Sequence, residues 1–148
     1  MIRANCHDAI NDVKRSYGTA IQTVRAVVQI VREQSAYLVR FGLALHEIQT
    51  VAAGLHDLYF VRMFACFESA LRDYWRTAVR DTKPPTEALV SSIGARRTVP
   101  EDVLLEVQEI REFRNFLIHE ERALQRQYTI DMACRSLNMY LARLPLRW

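Results

Sequence analysis

The sequence predicts an all-α protein, a single-domain bundle of about four to five helices, on three observations. Apolar residues recur at three- and four-residue spacing almost throughout, and no stretch alternates strictly as a half-buried strand would. Only 4 glycines and 4 prolines interrupt 148 residues, and no proline precedes Pro84. The hydrophobic fraction of 50% is enough for a core, and the length suits one domain over residues 1–148.

A short helix is expected before Gly18. From Ile21 to Leu55, Val24, Val31, Leu38, Leu45 and Ala52 recur at heptad spacing, which predicts one long helix or two in series, bent near Gly42. Asp57 is the expected cap of a second long, antiparallel helix, Leu58 to about Arg80. Its apolar stripe is Tyr59, Phe60, Met63, Phe67, Ala70, Leu71 and Tyr74. A proline break, "DTKPPTEALV", leads into a short helix capped by Thr86, and "SSIGARR" reads as a loop. Thr98 and Glu101 fit a capping box with Pro100 in the first turn, and this helix runs to about Glu121. Thr129 caps the final helix, Ile130 to Leu144, which Pro145 ends.

Composition excludes several classes. Charged residues at 25% are ordinary for a globular protein, so disorder is not indicated. No apolar run approaches the ~18 residues of a membrane span, and "MIRANCHDAINDVKR" has no apolar signal core. Cys6, Cys66 and Cys134 are odd in number and widely spaced, which suits reduced thiols in a cytoplasmic protein. His46 and His56 lack metal-ligand spacing, so no metal or cofactor is expected. The net charge of +3 announces no nucleic-acid binder, but all basic residues except Lys14 and Lys83 are arginines. That bias suits phosphate recognition as well as it suits GC-rich coding.

One segment breaks its own pattern. In "REFRNFLIHE", at ~100° per residue, Val103, Val107, Ile110, Leu117 and Ile118 define the core face, and Arg114 falls in its middle. Asn115 and His119 share the flank one turn apart. A buried guanidinium does not shed its proton, so it needs an acidic partner or a cleft. Glu68 in "ACFESALR" is the candidate partner; the other solution is a pocket or subunit seam open to an anion.

The string Arg114-Asn115-Phe116-Leu117-Ile118-His119 resembles the signature of HEPN domains (higher eukaryotes and prokaryotes nucleotide-binding): R, commonly followed by N, D or H, with four to six residues before an H. "FVRMFACFESALRDYW" is similar to the aromatic-rich helix with an embedded glutamate found in many members, and the resemblance spans about residues 20 to 148. It implies a metal-independent endoribonuclease acting as a homodimer, with Arg114, Asn115 and His119 catalytic, Glu68 supporting, and RNA as substrate. It also implies a toxin of a toxin–antitoxin pair or a defence effector, restrained by a nucleotidyltransferase-like antitoxin. Arg96, Arg97, Arg122 and Arg126, which flank the motif helix, are the candidate RNA contacts. The alternative is a non-catalytic helical module for dimerisation or nucleotide or RNA binding, in which Arg114 serves a structural ion pair.

Overall fold

The computed structural model describes residues 2–33, 42, 44–119 and 127–148. Among the described residues five helices follow in order: α1 (Arg3–Glu33), α2 (Leu45–Ala78), α3 (Thr86–Arg96), α4 (Glu101–His119) and α5 (Ile130–Leu141). The all-α expectation holds. Among the described residues the one β feature is an isolated antiparallel bridge between Ile2 and Arg147.

The expected break at Gly18 does not occur, and α1 runs straight through it. One mid-helix glycine costs only about 1 kcal/mol, which a helix of 31 residues absorbs. The described part of the helix reaches Glu33, and Gly42 takes a left-handed φ of 62° that favours glycine. The heptad-spaced residues therefore belong to two helices: Val24 and Val31 to α1, Leu45 and Ala52 to α2, with Leu38 outside the described residues.

Asp57 caps nothing, because α2 begins at Leu45, three turns earlier. Its start is marked by Glu47, whose Oε2 accepts the Ala44 N–H at 2.9 Å, half of a capping box with no side-chain oxygen on Ala44. The α1–α2 pair is an antiparallel hairpin: Tyr17 meets Tyr59 and His56, whereas Val24 and Val28 share a groove with Ala52.

The core lies against the second half of α2. Phe60, Met63, Phe67, Ala70, Leu71 and Tyr74 are buried as the stripe predicts, joined by Phe64 and Trp75, while Tyr59 is half-buried. Edge-to-face contacts tie this stripe to its neighbours: Phe60 to Phe113 of α4 at 4.8 Å, and Phe67 to Tyr140 of α5 at 5.4 Å between ring centroids.

Helix α3 begins one residue earlier in its cap than expected, at Pro85, and continues through most of the predicted "SSIGARR" loop. Gly94 lies within this helix, and glycine suits the position because the site is crowded: a Cβ there would lie 3.0 Å from a methyl of Leu104 and 3.6 Å from the Tyr140 hydroxyl. That hydroxyl donates to Val90 O at 2.6 Å, and burial pushes its pKa well above the usual phenol range. Thr98 forms no capping box; it takes a left-handed φ of 50° in the turn, and Pro100 O accepts the Leu104 N–H instead. Thr129 does cap α5, its hydroxyl accepting the Met132 N–H at 3.2 Å. The ends are tied together beside the bridge: the Arg3 N–H donates to Leu146 O, and Arg3 Nη1 to Ala142 O and Leu144 O.

This layout makes a sharp contrast between neighbours on α2. Phe60 is fully buried, and Phe60→Ala is expected to cost about 3–5 kcal/mol in urea unfolding. Leu58, two residues away and 64% exposed, is expected to tolerate alanine within about 0.5 kcal/mol.

Candidate functional site

Helix α4 carries Arg114, Asn115 and His119 in its last two turns. Its inner face is Val103, Val107, Ile110 and Phe113, all buried. The sequence-derived face is therefore shifted toward Phe113 near the helix end, because Phe113 fills the space between Phe60, His56 and Tyr128. Leu117 is half-buried and packs against the core as expected, whereas Ile118 is 43% exposed and does not continue it. Arg114 is half-buried at the edge of this face.

The expected ion pair between Arg114 and Glu68 is not formed. Glu68 Oε1 accepts instead from Arg72 Nη2 at 2.6 Å, from Arg72 Nε at 2.9 Å and from the Thr86 hydroxyl at 2.8 Å. Arg72 stands four residues on along the same helix, the spacing at which opposite charges on a helix meet, and this local pairing wins over a contact across helices. Burial pushes the Glu68 carboxyl up, but the Arg72 and Thr86 hydrogen bonds and the charges of Arg72 and Arg114 outweigh it and hold its pKa below the usual range.

Arg114 thus feels the Glu68 charge without bonding to it. Its Nη1 donates to Asn115 Oδ1 at 3.0 Å, and its guanidinium carbon stands 5.8 Å from the centre of the Phe64 ring. Its Nε is buried and has no hydrogen-bond partner among the described residues. An orphaned N–H costs about 1–3 kcal/mol, so Arg114 is held at an energetic disadvantage. Asn115 is half-buried, and His119 is exposed at the end of α4. Within one chain Arg114 and His119 point to different sides of the helix, because five residues at ~100° each separate them by roughly 140°.

The other candidate residues are dispersed. Arg97 Nε donates to Arg143 O at 2.9 Å, and Arg96 lies 6.0 Å over Trp75. Both stand before the start of α4, the end of that helix opposite to Arg114. Arg122 and Arg126 lie outside the described residues. Among the described residues, no three His, Cys, Asp or Glu side chains group closely enough to hold a metal ion.

The sequence reading missed His56. Its Nε2 meets Tyr128 O at 2.9 Å, and its ring packs against Phe60 and Phe113, joining α2 to the chain that follows the motif helix. Tyr128 in turn donates its hydroxyl to Glu109 Oε2. No spacing within the sequence links His56 to Tyr128, 72 residues apart.

Two measurements test this arrangement. Arg114→Ala loses a cation–π contact worth about 0.5–1 kcal/mol but removes the orphaned N–H. Chemical denaturation is therefore expected to show a change within about 1 kcal/mol, against the 3–5 kcal/mol of a broken buried pair. Because the Glu68 pKa is depressed on folding, its stabilisation is present above the unfolded carboxyl pKa and is lost as pH falls through the folded value. Glu68→Gln is expected to flatten the acid limb of a stability–pH curve below about pH 4.5, while leaving the slope above neutrality unchanged.

No protein-family model, no curated protein and no solved structure matches this chain.

Proposed function

We propose that this chain is a metal-independent endoribonuclease that works as a homodimer, with Arg114, Asn115 and His119 as its catalytic residues. The observation that carries the reading is Arg114 itself: half-buried, without an ion pair among the described residues, and with an orphaned Nε. A structural arginine would have claimed Glu68, which Arg72 and Thr86 occupy. A guanidinium kept unpaired is suited to two non-bridging phosphate oxygens.

The chemistry follows from the side chains. In RNA cleavage the ribose 2′-hydroxyl gives up its proton and its oxygen attacks the adjacent phosphorus. The bond to the 5′-oxygen breaks, and that oxygen takes a proton, leaving a 2′,3′-cyclic phosphate and a 5′-hydroxyl. His119, exposed and able to move protons, serves one transfer. Arg114 bears the charge that builds on the phosphate oxygens. Asn115 orients Arg114 through its Oδ1 and lies one turn before His119. One histidine serves one proton transfer, and a two-fold copy supplies the second. The half-buried Phe116 and Leu117 and the exposed Ile118 give this end of α4 an apolar rim on which such a copy can pack. Resemblance to HEPN proteins extends the reading to a cytoplasmic toxin or defence effector restrained by a nucleotidyltransferase-like partner.

Purified protein is expected to cut single-stranded RNA in the presence of EDTA, yielding 2′,3′-cyclic phosphate ends. His119→Ala should lower the rate by about 10²–10⁴ and Arg114→Ala by about 10²–10³, with both variants folded by circular dichroism. RNA left intact by folded wild type at every enzyme concentration rules the activity out, and RNA binding without cleavage assigns a binding module instead.

A further inference from the structure

The α1–α2 hairpin is longer than the body it belongs to. From Gly18 to Glu33 and from Ala44 to Leu58, Val31 alone is buried among the described residues; the shared core starts again at Phe60. Yet residues 20–33 of α1 are apolar around much of their circumference, the pattern of a helix covered on more than one side. α2 covers one side. Beside the seam runs an open groove of about 480 Å³, floored by the half-buried Val24, Val28 and Ala52 and edged by the exposed Arg25, Gln29 and Arg32.

We propose that this groove is a docking site for an acidic amphipathic helix of a partner protein. Charge is the argument for the occupant. Arg25 and Arg32 stand one heptad apart on the same edge and form no ion pair among the described residues. Four arginines of the described residues are held by carboxylates, Arg15 by Asp12, Arg72 by Glu68, Arg76 by Asp73 and Arg111 by Glu87, whereas the two at this groove are open to an incoming one. Two cations spaced by two helical turns match carboxylates at the same spacing on a helix lying along the groove. The floor settles the class of partner. It is aliphatic, with no ring on which a base can stack, so it receives leucine-like side chains and not RNA. A third helix laid there completes a three-helix layer over the exposed half of the hairpin. The inference does not rest on the endoribonuclease reading, since the groove is on α1 and α2 and the motif is on α4.

The test uses the whole chain and three probes: two synthetic amphipathic helices of about 21 residues sharing one leucine stripe, flanked in one by glutamates and in the other by lysines, and a single-stranded oligouridylate. The glutamate helix is expected to bind at least about tenfold more tightly than the lysine helix, the scale set by two exposed ion pairs. R25E/R32E should reverse that preference, and R25Q/R32Q should erase it without touching the floor. Val28→Asp should weaken both helices. Equal affinity for the two helices, no binding of the glutamate helix at about 1 mM, or an unchanged preference in R25E/R32E overturns the proposal. Oligouridylate binding that disappears in R25E/R32E, with neither helix bound, overturns it in favour of RNA.

Discussion

Everything in this bundle depends on one helix being apolar over a wide arc. From Phe60 to Trp75, α2 offers eight buried side chains, and α1, α3, α4 and α5 all pack on that length. Helix α1 makes most of its contact with this wall, whereas α4 and α5 pack against each other at least as closely as against it, so the wall and the α4–α5 contact together fix their positions. Phe60 sets the height of α4 through Phe113, Phe67 sets that of α5 through Tyr140, and Trp75 lies beneath the arginine-bearing end of α3. The stripe has a sharp edge. Glu68 and Arg72 stand just outside it and bond to each other, and Arg114 reaches the same edge from α4.

The helical class, the aromatic stripe and the Thr129 cap were legible in the sequence because each is encoded within a few residues. The breaks were harder to read. Gly18 and Asp57 carry the usual signals of a helix boundary, yet both lie inside long helices, where tertiary packing outweighs a cost of about 1 kcal/mol. Gly94 misled in the same way, since its missing side chain serves the approach of Leu104 and Tyr140 and not a turn. At the candidate site, the wheel placed Arg114 and Leu117 on the apolar side of α4 correctly but extended that face too far at Ile118. The Glu68–Arg72 pair was readable from its i,i+4 spacing, and giving it weight would have freed Arg114 from an assumed partner. His56 and Tyr128 had no local signature, because their meeting is a product of the whole fold.

Arg114 and the α1–α2 groove share a physical theme. In both places a guanidinium stands beside apolar side chains without the carboxylate that a settled interior would supply. At Arg114 the cost is an orphaned donor; at Arg25 and Arg32, which are exposed, water meets the charge at little cost. The first is therefore the stronger statement about chemistry, and the second is one about association.

The junction at Ile2 and Arg147 has a consequence for how the fold is written in sequence. Arg3 binds three carbonyls of the final turns, so the first and last helices are neighbours at one pole of the molecule. A short peptide joining the ends there, with the chain cut open at the exposed turn around Thr82, would reorder the helices to start at α3 and finish at α2. Each packing contact would survive, since none depends on which helix comes first. The architecture is thus a ring of helices around a common wall, and the numbering records only where the ring was opened.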